Sequence, residues 1–325
     1  MMTRTPFLAI LFLLLACQSN STEDAAPPVP YPVGLTDQQI TVNNTVRKFR
    51  IHRPAGDAPT ALVFIFHGGG GAGTDVANEG THPLWFFRHL ADNEKFVAVY
   101  PEGSLDAQNS PGWNDCRSDD KSGSQGDDIT FLKALVDKLS ADFKMPASRL
   151  FVTGTSNGAV MAYRFAFTHA TSFRALAISA GNLPALPEGG ACTSGPASAI
   201  PIMIAYGTAD PAMPVAGGCV ANLGGQCNRG TVVSQQATAN FWLAKNGLTG
   251  VQPTLSTFDL KKNDAGDVVK HVYAGANPMV IYWMTDAGHS VPSKTVFTAP
   301  SAASGVQNRD IEFAEEAWAF FKARL

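Results

Sequence analysis

The chain has 325 residues, with 24 Lys and Arg against 27 Asp and Glu, and a formal net charge of -3 at pH 7. This balance, with no basic runs, argues against nucleic acid as a partner. After an N-terminal leader, about 290 residues remain, which suffices for one domain with a large core.

The N-terminus has the pattern of an export signal. Arg4 precedes the apolar residues 6–16, which are too few to span a bilayer. The ending LLAC at residues 14–17 resembles a bacterial lipobox, in which Cys17 is lipidated and becomes the mature N-terminus. Leu15 is unusual there, so ordinary cleavage is the alternative. Residues 1–17 therefore predict export, as an outer membrane lipoprotein or as a periplasmic or extracellular protein.

Residues 18–32, rich in Ser, Pro and acidic residues, predict a flexible tether, and residues 33–325 predict one folded domain. Residues 39–42 and 45–52, separated by two asparagines, predict an antiparallel edge hairpin. The other predicted strands are residues 60–66, 96–100, 149–153, 174–179, 201–206 and 279–284, and the predicted helices are residues 129–139, 157–168, 232–245 and 309–323. This alternation predicts an α/β fold with a mostly parallel sheet and helices on both faces.

The strand at residues 61–66 ends at the glycine-rich sequence HGGGG. A phosphate-binding loop would need a GxxxxGK[ST] or GxGxxG spacing, which is not completed here. We interpret the glycines as an oxyanion loop, in which Gly68 and Gly69 offer a backbone N–H to the oxygen that becomes negative during acyl transfer. His67 then orients the loop or contacts substrate and is not a base.

Two further segments precede the central motif. Trp113, in the sequence GWND, is either an aromatic wall that contacts substrate beside the cleft or a core residue. Asp127 and Asp128 are interpreted as the N-cap and first turn of the following helix. They are not interpreted as metal ligands, because a metal site would need more carboxylates than this pair.

The most informative motif is GTSNG at residues 154–158. It places Ser156 between two glycines, after an apolar strand and before an apolar helix, which is the strand-to-helix context of a nucleophile elbow. The bare pattern also arises by chance, so the flanking elements give it weight. Any Cβ at Gly154 or Gly158 should collide with the neighbouring strand and helix. We predict that Asn157 supplies a second oxyanion donor and that Thr155 contacts substrate.

The partners of the serine follow in chain order. The strand at residues 201–206 runs into a loop with Asp210, and the strand at residues 279–284 runs into a loop with His289. We predict that His289 is the general base and that Asp210 orients it, since Ser, Asp, His is the order of α/β-hydrolases. The alternative for Asp210 is a purely structural role in the turn. Asp286 could also be the acid, but it lies three positions before His289 and is poorly placed to orient that ring. The remaining histidines are interpreted as surface or packing residues: His52, His82, His89, His169 and His271.

Besides the lipobox cysteine, an even number of cysteines remains: Cys116, Cys192, Cys219 and Cys227. In an exported chain they predict two disulfides, with three connectivities open. Cys219 and Cys227 are the pair expected to be local, because they lie in the glycine-rich residues 217–230. A metal site is the weaker interpretation, because no CxxC pair is present.

Six segments together resemble the exported esterases of the polyhydroxybutyrate depolymerase and feruloyl esterase group, which is similar to carbohydrate esterase family one. They are HGGGG at 67–71, GWND at 112–115, DDITF at 127–131, GTSNGA at 154–159, YGTAD at 206–210 and GH at 288–289. The match runs from about residue 45 to the C-terminus and departs at Ala159, where the family often has glycine. The resemblance implies a cofactor-free α/β-hydrolase with the triad Ser156, Asp210 and His289.

The substrate is less closely defined. Residues 180–200 are too few for the helical cap of many lipases, so an open site that admits a polymer is expected. We expect an exported, monomeric serine esterase that forms an acyl-enzyme on polymer-derived esters of the polyhydroxybutyrate type. The alternative is a feruloyl or acetyl esterase acting on plant polysaccharide. A serine peptidase of similar fold and a lipoprotein that binds ligand without turnover are further hypotheses.

Overall fold

The computed structural model describes residues 1–2, 31–56, 58–106, 108–120, 123–221, 226–262 and 264–325. Cys17, the predicted lipidation site, lies outside these residues, as do most of the predicted leader and tether. Within the described ranges, no helix combines the length and the apolar character needed to cross a bilayer.

The folded domain includes Tyr31, which the sequence had assigned to the tether. Its side chain is buried, and its ring stacks on Phe143 with the centroids 5.4 Å apart. Its hydroxyl donates a hydrogen bond to Asp142 at 2.6 Å. The predicted domain start at residue 33 is therefore two residues late, because a single buried aromatic residue ties this segment to a helix far along the chain.

Strands and helices alternate through most of the chain. The strands are β1 (Gly34–Val42), β2 (Thr45–Arg53), β3 (Leu62–Phe66), β4 (Val97–Pro101), β5 (Ser104–Leu105), β6 (Pro111–Gly112), β7 (Leu150–Thr155), β8 (Ala175–Ser179), β9 (Ile202–Gly207), β10 (Gly218–Ala221), β11 (Cys227–Val232), β12 (Thr254–Phe258), β13 (Val268–Tyr273) and β14 (Met279–Met284). The helices are α1 (Gly73–Ala77), α2 (Phe86–Glu94), α3 (Asp128–Asp142), α4 (Asn157–His169), α5 (Ala191–Ser194), α6 (Gln235–Lys245) and α7 (Phe313–Lys322), and 3-10 turns lie at Pro83–Trp85 and Ala147–Arg149.

Ten strands form one sheet in the order β1-β2-β4-β3-β7-β8-β9-β14-β13-β12. The pairs from β4 to β14 are parallel, as predicted. The predicted edge hairpin is also confirmed: β1 and β2 are antiparallel with Val42 opposite Thr45, and Asn43 and Asn44 between them both have positive φ. Because the central strands are parallel, their carboxyl ends share one edge of the sheet, where the loops that follow them meet.

The core lies on both faces of the sheet. Side chains alternate along β3, so that Leu62, Phe64 and Phe66 pack on the face covered by α3, α4 and α6. Val63 and Ile65 pack on the opposite face with α2 and α7. A strand that is buried on both faces is an apolar run without alternation, which is why these strands could be recognised in the sequence.

Several elements differ from the predictions. The structure adds a second antiparallel edge, β13 and β12, which the sequence did not predict because β12 is mostly exposed and lacks an apolar face. Helix α6 begins three residues later than predicted, where the Ser234 side chain accepts the N–H of Ala237 at 3.0 Å as an N-cap. Helix α7 begins at Phe313, after a segment in which Asp310 accepts the N–H groups of Leu260 and Lys261.

The acidic pair before α3 has two separate roles. Asp127 is the predicted N-cap, and its side chain accepts the N–H of Thr130 at 3.2 Å. Asp128 is buried and pairs with Arg47 at 2.6 Å. No large cap domain follows β8, since residues 180–201 contain only the four-residue helix α5.

Candidate active site

Ser156 stands on the sharp turn between β7 and α4. Its φ of 55° and ψ of -124° are strained for a residue with a side chain. A Cβ on Gly154 would lie 2.5 Å from the carbonyl oxygen of Gly158, and a Cβ on Gly158 would lie 2.2 Å from that of His67. The two glycines are therefore required by the close approach of β7, α4 and the loop after β3, as the sequence predicted.

The structure brings Asp210 and His289 to this serine. His289 lies on the loop after β14, and its Nε2 is 2.8 Å from Ser156 Oγ. Its Nδ1 is 2.7 Å from Asp210 Oδ2, on the loop after β9, which is the parallel neighbour of β14. The other oxygen of Asp210 accepts the N–H groups of Ala212 and Met213 at 2.9 and 2.8 Å. Asp210 is thus both a turn residue and the partner of the histidine.

Asp286, the other carboxylate that the sequence offered, is exposed. It occupies a left-handed turn with φ 56°, and its backbone N–H donates to Thr208 Oγ1 at 3.0 Å. The hydrogen bond to the imidazole is made by Asp210 and not by this nearer residue in the chain.

The predicted oxyanion donors lie beside Ser156. Gly68, Gly69 and Asn157 line the same cleft, and their N–H groups make no hydrogen bond to any described residue. Asn157 is the first residue of α4, whose first N–H groups lack acceptors within the helix. The glycine loop itself is held by the N–H of Gly70, which donates to the carbonyl of Pro111 at 2.8 Å. A small negatively charged oxygen would find several free donors here.

For His67 and Trp113 the structure supports the buried alternative and not contact with substrate, since neither lines the cleft at Ser156. His67 is fully buried behind the loop: its Nδ1–H donates to the carbonyl of Gly68, and its Nε2 accepts the N–H of Gly103 at 3.0 Å. Burial lowers the pKa of His67 to about 4, so it stays neutral. Trp113 is 1% exposed, and its indole N–H donates to the His67 carbonyl at 2.8 Å. Both side chains fix the oxyanion loop from inside, because the tight glycine turn leaves polar backbone groups that need buried partners.

A cleft of about 220 Å³ opens at Ser156. Thr155, for which the sequence predicts a substrate contact, borders it. Three bordering residues were not singled out as site residues by the sequence: Arg117, Arg229 and His82, which had been interpreted as a surface or packing residue. Burial lowers the pKa of His82 to about 4, and the neighbouring His67 adds to this. The other lining residues are Pro83, Ala212, Met213, Val220, Ala221, Ser290, Val291, Thr298 and Ala303.

A buried polar network connects the elbow to one wall of this cleft. The side-chain amide of Asn157 donates to Asp115 at 2.7 Å, and Arg117 pairs with Asp115 at 2.7 Å and with Asp120 at 3.2 Å. Burial alone would lower the pKa of Arg117, but these carboxylates outweigh it and raise the pKa. Arg117 also donates to the backbone carbonyl of Arg229. The network therefore joins Asn157, the residue after Ser156, to the β10–β11 hairpin.

Two disulfides lie near this network, one within the β10–β11 hairpin and one at Cys116, next to Arg117. Cys219 and Cys227 join β10 to β11, with Cα atoms 5.5 Å apart, which confirms the predicted local pair. Cys116 pairs with Cys192, with Cα atoms 5.6 Å apart. Within the described ranges, no group of three or more His, Cys, Asp or Glu side chains is placed to hold a metal.

Known proteins resemble this chain over much of its length. Feruloyl esterase C of Emericella nidulans is 25% identical over 260 residues, which cover 78% of this chain and 81% of that protein. A relative from Nocardia uniformis subsp. tsuyamanensis is 27% identical over 237 residues, or 65% of this chain and 64% of the relative. The chain thus spans slightly less than two thirds of this second relative.

The fold is shared with solved structures. An acetyl xylan esterase from Aspergillus awamori superposes with a TM-score of 0.52 at 17% identity, over 79% of this chain and 95% of that one. At this identity the likeness concerns the fold alone. A family model described as phospholipase/carboxylesterase matches residues 47–223, more than half of the chain. The chain therefore belongs to the phospholipase/carboxylesterase family and has the α/β-hydrolase fold.

Proposed function

We propose that the protein is a serine esterase that hydrolyses carboxylic esters through an acyl-enzyme intermediate. The observation that carries this proposal is the position of His289, whose two ring nitrogens lie 2.8 Å from Ser156 Oγ and 2.7 Å from Asp210 Oδ2. An imidazole held in this way can accept the serine proton while the carboxylate fixes its tautomer and stabilises the imidazolium.

In the first half of the proposed reaction, Ser156 Oγ attacks the ester carbonyl carbon while His289 takes its proton. The carbonyl oxygen becomes negative and accepts hydrogen bonds from the free N–H of Asn157 and of the loop at Gly68 and Gly69. His289 then gives its proton to the leaving alcohol as the ester bond breaks. In the second half, His289 takes a proton from water, the hydroxide attacks the acyl-enzyme, and the acid leaves as Ser156 regains its proton.

We propose a short aliphatic acyl group, such as acetyl or 3-hydroxybutyryl, carried on an oligomer or polymer. The cleft is small compared with typical ligand pockets of roughly 300–1,000 Å³, so it holds one group and leaves the rest of the substrate outside. Among the described residues that line it there is no Phe, Tyr or Trp, while Met213, Val220 and Val291 make it partly apolar.

A feruloyl ester of plant polysaccharide is the second candidate. It is favoured by the relative named feruloyl esterase C, which matches 78% of this chain. Because no aromatic side chain among the described lining residues can stack on it, a feruloyl ring would contact the arginine side of the cleft, at Arg117 and Arg229. We also propose that the protein acts after export, since the two disulfides suit an oxidising compartment.

The test is turnover by the full-length protein on four substrates: methyl ferulate, acetylated xylan, amorphous polyhydroxybutyrate and p-nitrophenyl butyrate. Ser156→Ala should abolish hydrolysis of all four, whereas Ser172→Ala, beyond the far end of α4, should not change it. Faster release of acetate or 3-hydroxybutyrate than of ferulate supports the aliphatic assignment, and the reverse order supports the second candidate. Hydrolysis by Ser156→Ala at the wild-type rate would contradict the serine mechanism.

A further inference from the structure

Arg229 is a charged residue in the cleft that the proposed acyl transfer does not use. Its side chain is half-buried, and its guanidinium makes no hydrogen bond or ion pair with any of the described residues. A Cβ built on Gly69 would lie 2.7 Å from Arg229 Nη1. The guanidinium therefore sits against the oxyanion loop, on the substrate side of the cleft.

The backbone of Arg229 is held firmly although its side chain is free. Its carbonyl accepts a hydrogen bond from the buried Arg117. The next residues are fixed by Asp119, which accepts the N–H and the hydroxyl of Thr231 at 3.1 and 2.8 Å. The disulfide Cys219–Cys227 closes the hairpin on which Arg229 lies. Binding of a ligand by this arginine would therefore order its side chain alone, without a further cost for ordering the backbone.

The charge of this arginine is not balanced within the cleft. None of the described residues that line the cleft is Asp or Glu. Arg117, the other arginine there, is already neutralised by Asp115 and Asp120. A guanidinium with free N–H donors pairs well with a planar carboxylate, which accepts two parallel hydrogen bonds.

We propose that Arg229 forms a carboxylate-binding subsite, which directs the enzyme to esters that carry a free carboxylate close to the scissile bond. Half-esters of dicarboxylic acids and hydroxyacid oligomers that end in a carboxylate belong to this class. The proposal rests on the proposed esterase function and deepens it, because it names the charge of the substrate. It makes Arg229 a specificity-determining residue.

Matched substrates that differ only in charge test this subsite. Monomethyl adipate and methyl adipamate place a carboxylate or a carboxamide on the acyl side, and 4-acetoxybenzoate and 4-acetoxybenzamide place them on the alcohol side. Hydrolysis of all four by the full-length protein is followed by titration of the released acid. The compared variants are Arg229→Gln, Arg229→Lys and, as the control for charge, Arg149→Gln, which lies before the opposite end of β7.

For at least one pair, the wild type should prefer the carboxylate in kcat/KM, chiefly through a lower KM. Arg229→Gln should reduce that preference about tenfold, as expected for a charge-assisted hydrogen bond at a half-exposed site. Arg229→Lys should keep part of it, Arg149→Gln should keep all of it, and added salt should weaken it.

Two results would overturn the subsite. One is an equal preference for carboxylate and carboxamide in the wild type. The other is a loss in Arg229→Gln that is the same for both members of each pair and falls on kcat, which would place Arg229 at the oxyanion instead. Failure of the esterase proposal is distinguishable, because then neither the neutral nor the charged esters are hydrolysed above the Ser156→Ala background.

Discussion

The two walls of the cleft are built in different ways. On one wall, Ser156, Asp210 and His289 each lie on the turn or loop that follows the carboxyl end of a parallel strand, so the sheet brings them together. The other wall is the β10–β11 hairpin with Arg229, which has no place in the large sheet. It is held by the Cys219–Cys227 disulfide and by hydrogen bonds between its backbone and the side chains of Arg117 and Asp119. Arg117 is in turn fixed by its ion pair with Asp115.

The difference separates chemistry from specificity. In the proposed mechanism, the strand ends give Ser156, Asp210 and His289 a position that depends on the core of the fold and tolerates little change. The hairpin wall depends on a few polar and covalent links, which can change without disturbing the sheet. We therefore expect changes on the first wall to remove the reaction, and changes on the second wall to alter stability locally and the choice of substrate.

The largest effect is expected on the strand-end wall. His289→Ala should lower kcat about 10⁴- to 10⁶-fold, because the serine then has no base. Thermal unfolding should be close to that of the wild type, and His89→Ala, on the exposed face of α2, serves as the control. Steady-state assays on p-nitrophenyl butyrate decide this. Retention of more than a tenth of the wild-type kcat would show that His289 is not the base.

The next effect concerns the network that links the two walls. Asp115→Ala should destabilise the protein by about 3–5 kcal/mol, because it leaves Arg117 buried without its main partner. Asp37→Ala removes the exposed partner of Arg50 and should cost less than about 1 kcal/mol. Urea unfolding measures both. Equal costs for the two variants would mean that the buried pair has no special importance for the hairpin wall.

Acid should weaken the packing behind the oxyanion loop. The pKa of buried His67 is lowered to about 4 from 6.5, so the unfolded chain binds more protons than the folded chain as the pH falls through this interval. Stability present above about pH 6.5 is therefore lost on going towards pH 4, by about 3 kcal/mol for this residue. Urea midpoints at pH 7 and 5 should decrease accordingly, and His67→Gln should show a shallower decrease. If the urea midpoint of His67→Gln decreased between pH 7 and 5 as much as that of the wild type, His67 would not be the source of the pH dependence.

The smallest effect is expected from the local disulfide. Replacing Cys219 and Cys227 together by serine removes a short cross-link and should cost about 2–3 kcal/mol, since only a small loop is released. The variant should still hydrolyse p-nitrophenyl butyrate, with its change mainly in KM, because the reacting groups lie on the other wall. Loss of activity as complete as in His289→Ala would show that the two walls are not separable.

The positions of Ser156, Asp210 and His289 at strand ends could be predicted for a local reason. Each residue was marked by an apolar strand and by the turn residues that follow it, and the glycines around Ser156 signalled close backbone approach. The antiparallel edge formed by β12 and β13 was not predicted, because β12 is exposed and its sequence shows no apolar alternation.

The hairpin wall could not be predicted in the same way. For Trp113 and His67 the sequence could not decide between a buried role and substrate contact, because their burial depends on contacts between distant segments. Arg229 was missed because its role depends on Arg117 and on the loop at Gly69. The useful signal was its location two residues after Cys227, in a segment expected to contain a disulfide, but this does not show the direction in which its side chain points.

The most direct test of the account is covalent capture of the nucleophile. The full-length protein is incubated with a p-nitrophenyl alkylphosphonate, and the released p-nitrophenol and the modified peptide are measured. We expect one equivalent of p-nitrophenol per chain, a phosphonyl group on Ser156 alone, and much slower labelling in His289→Ala. A label on another residue, or esterase activity that survives stoichiometric labelling of Ser156, would contradict the account.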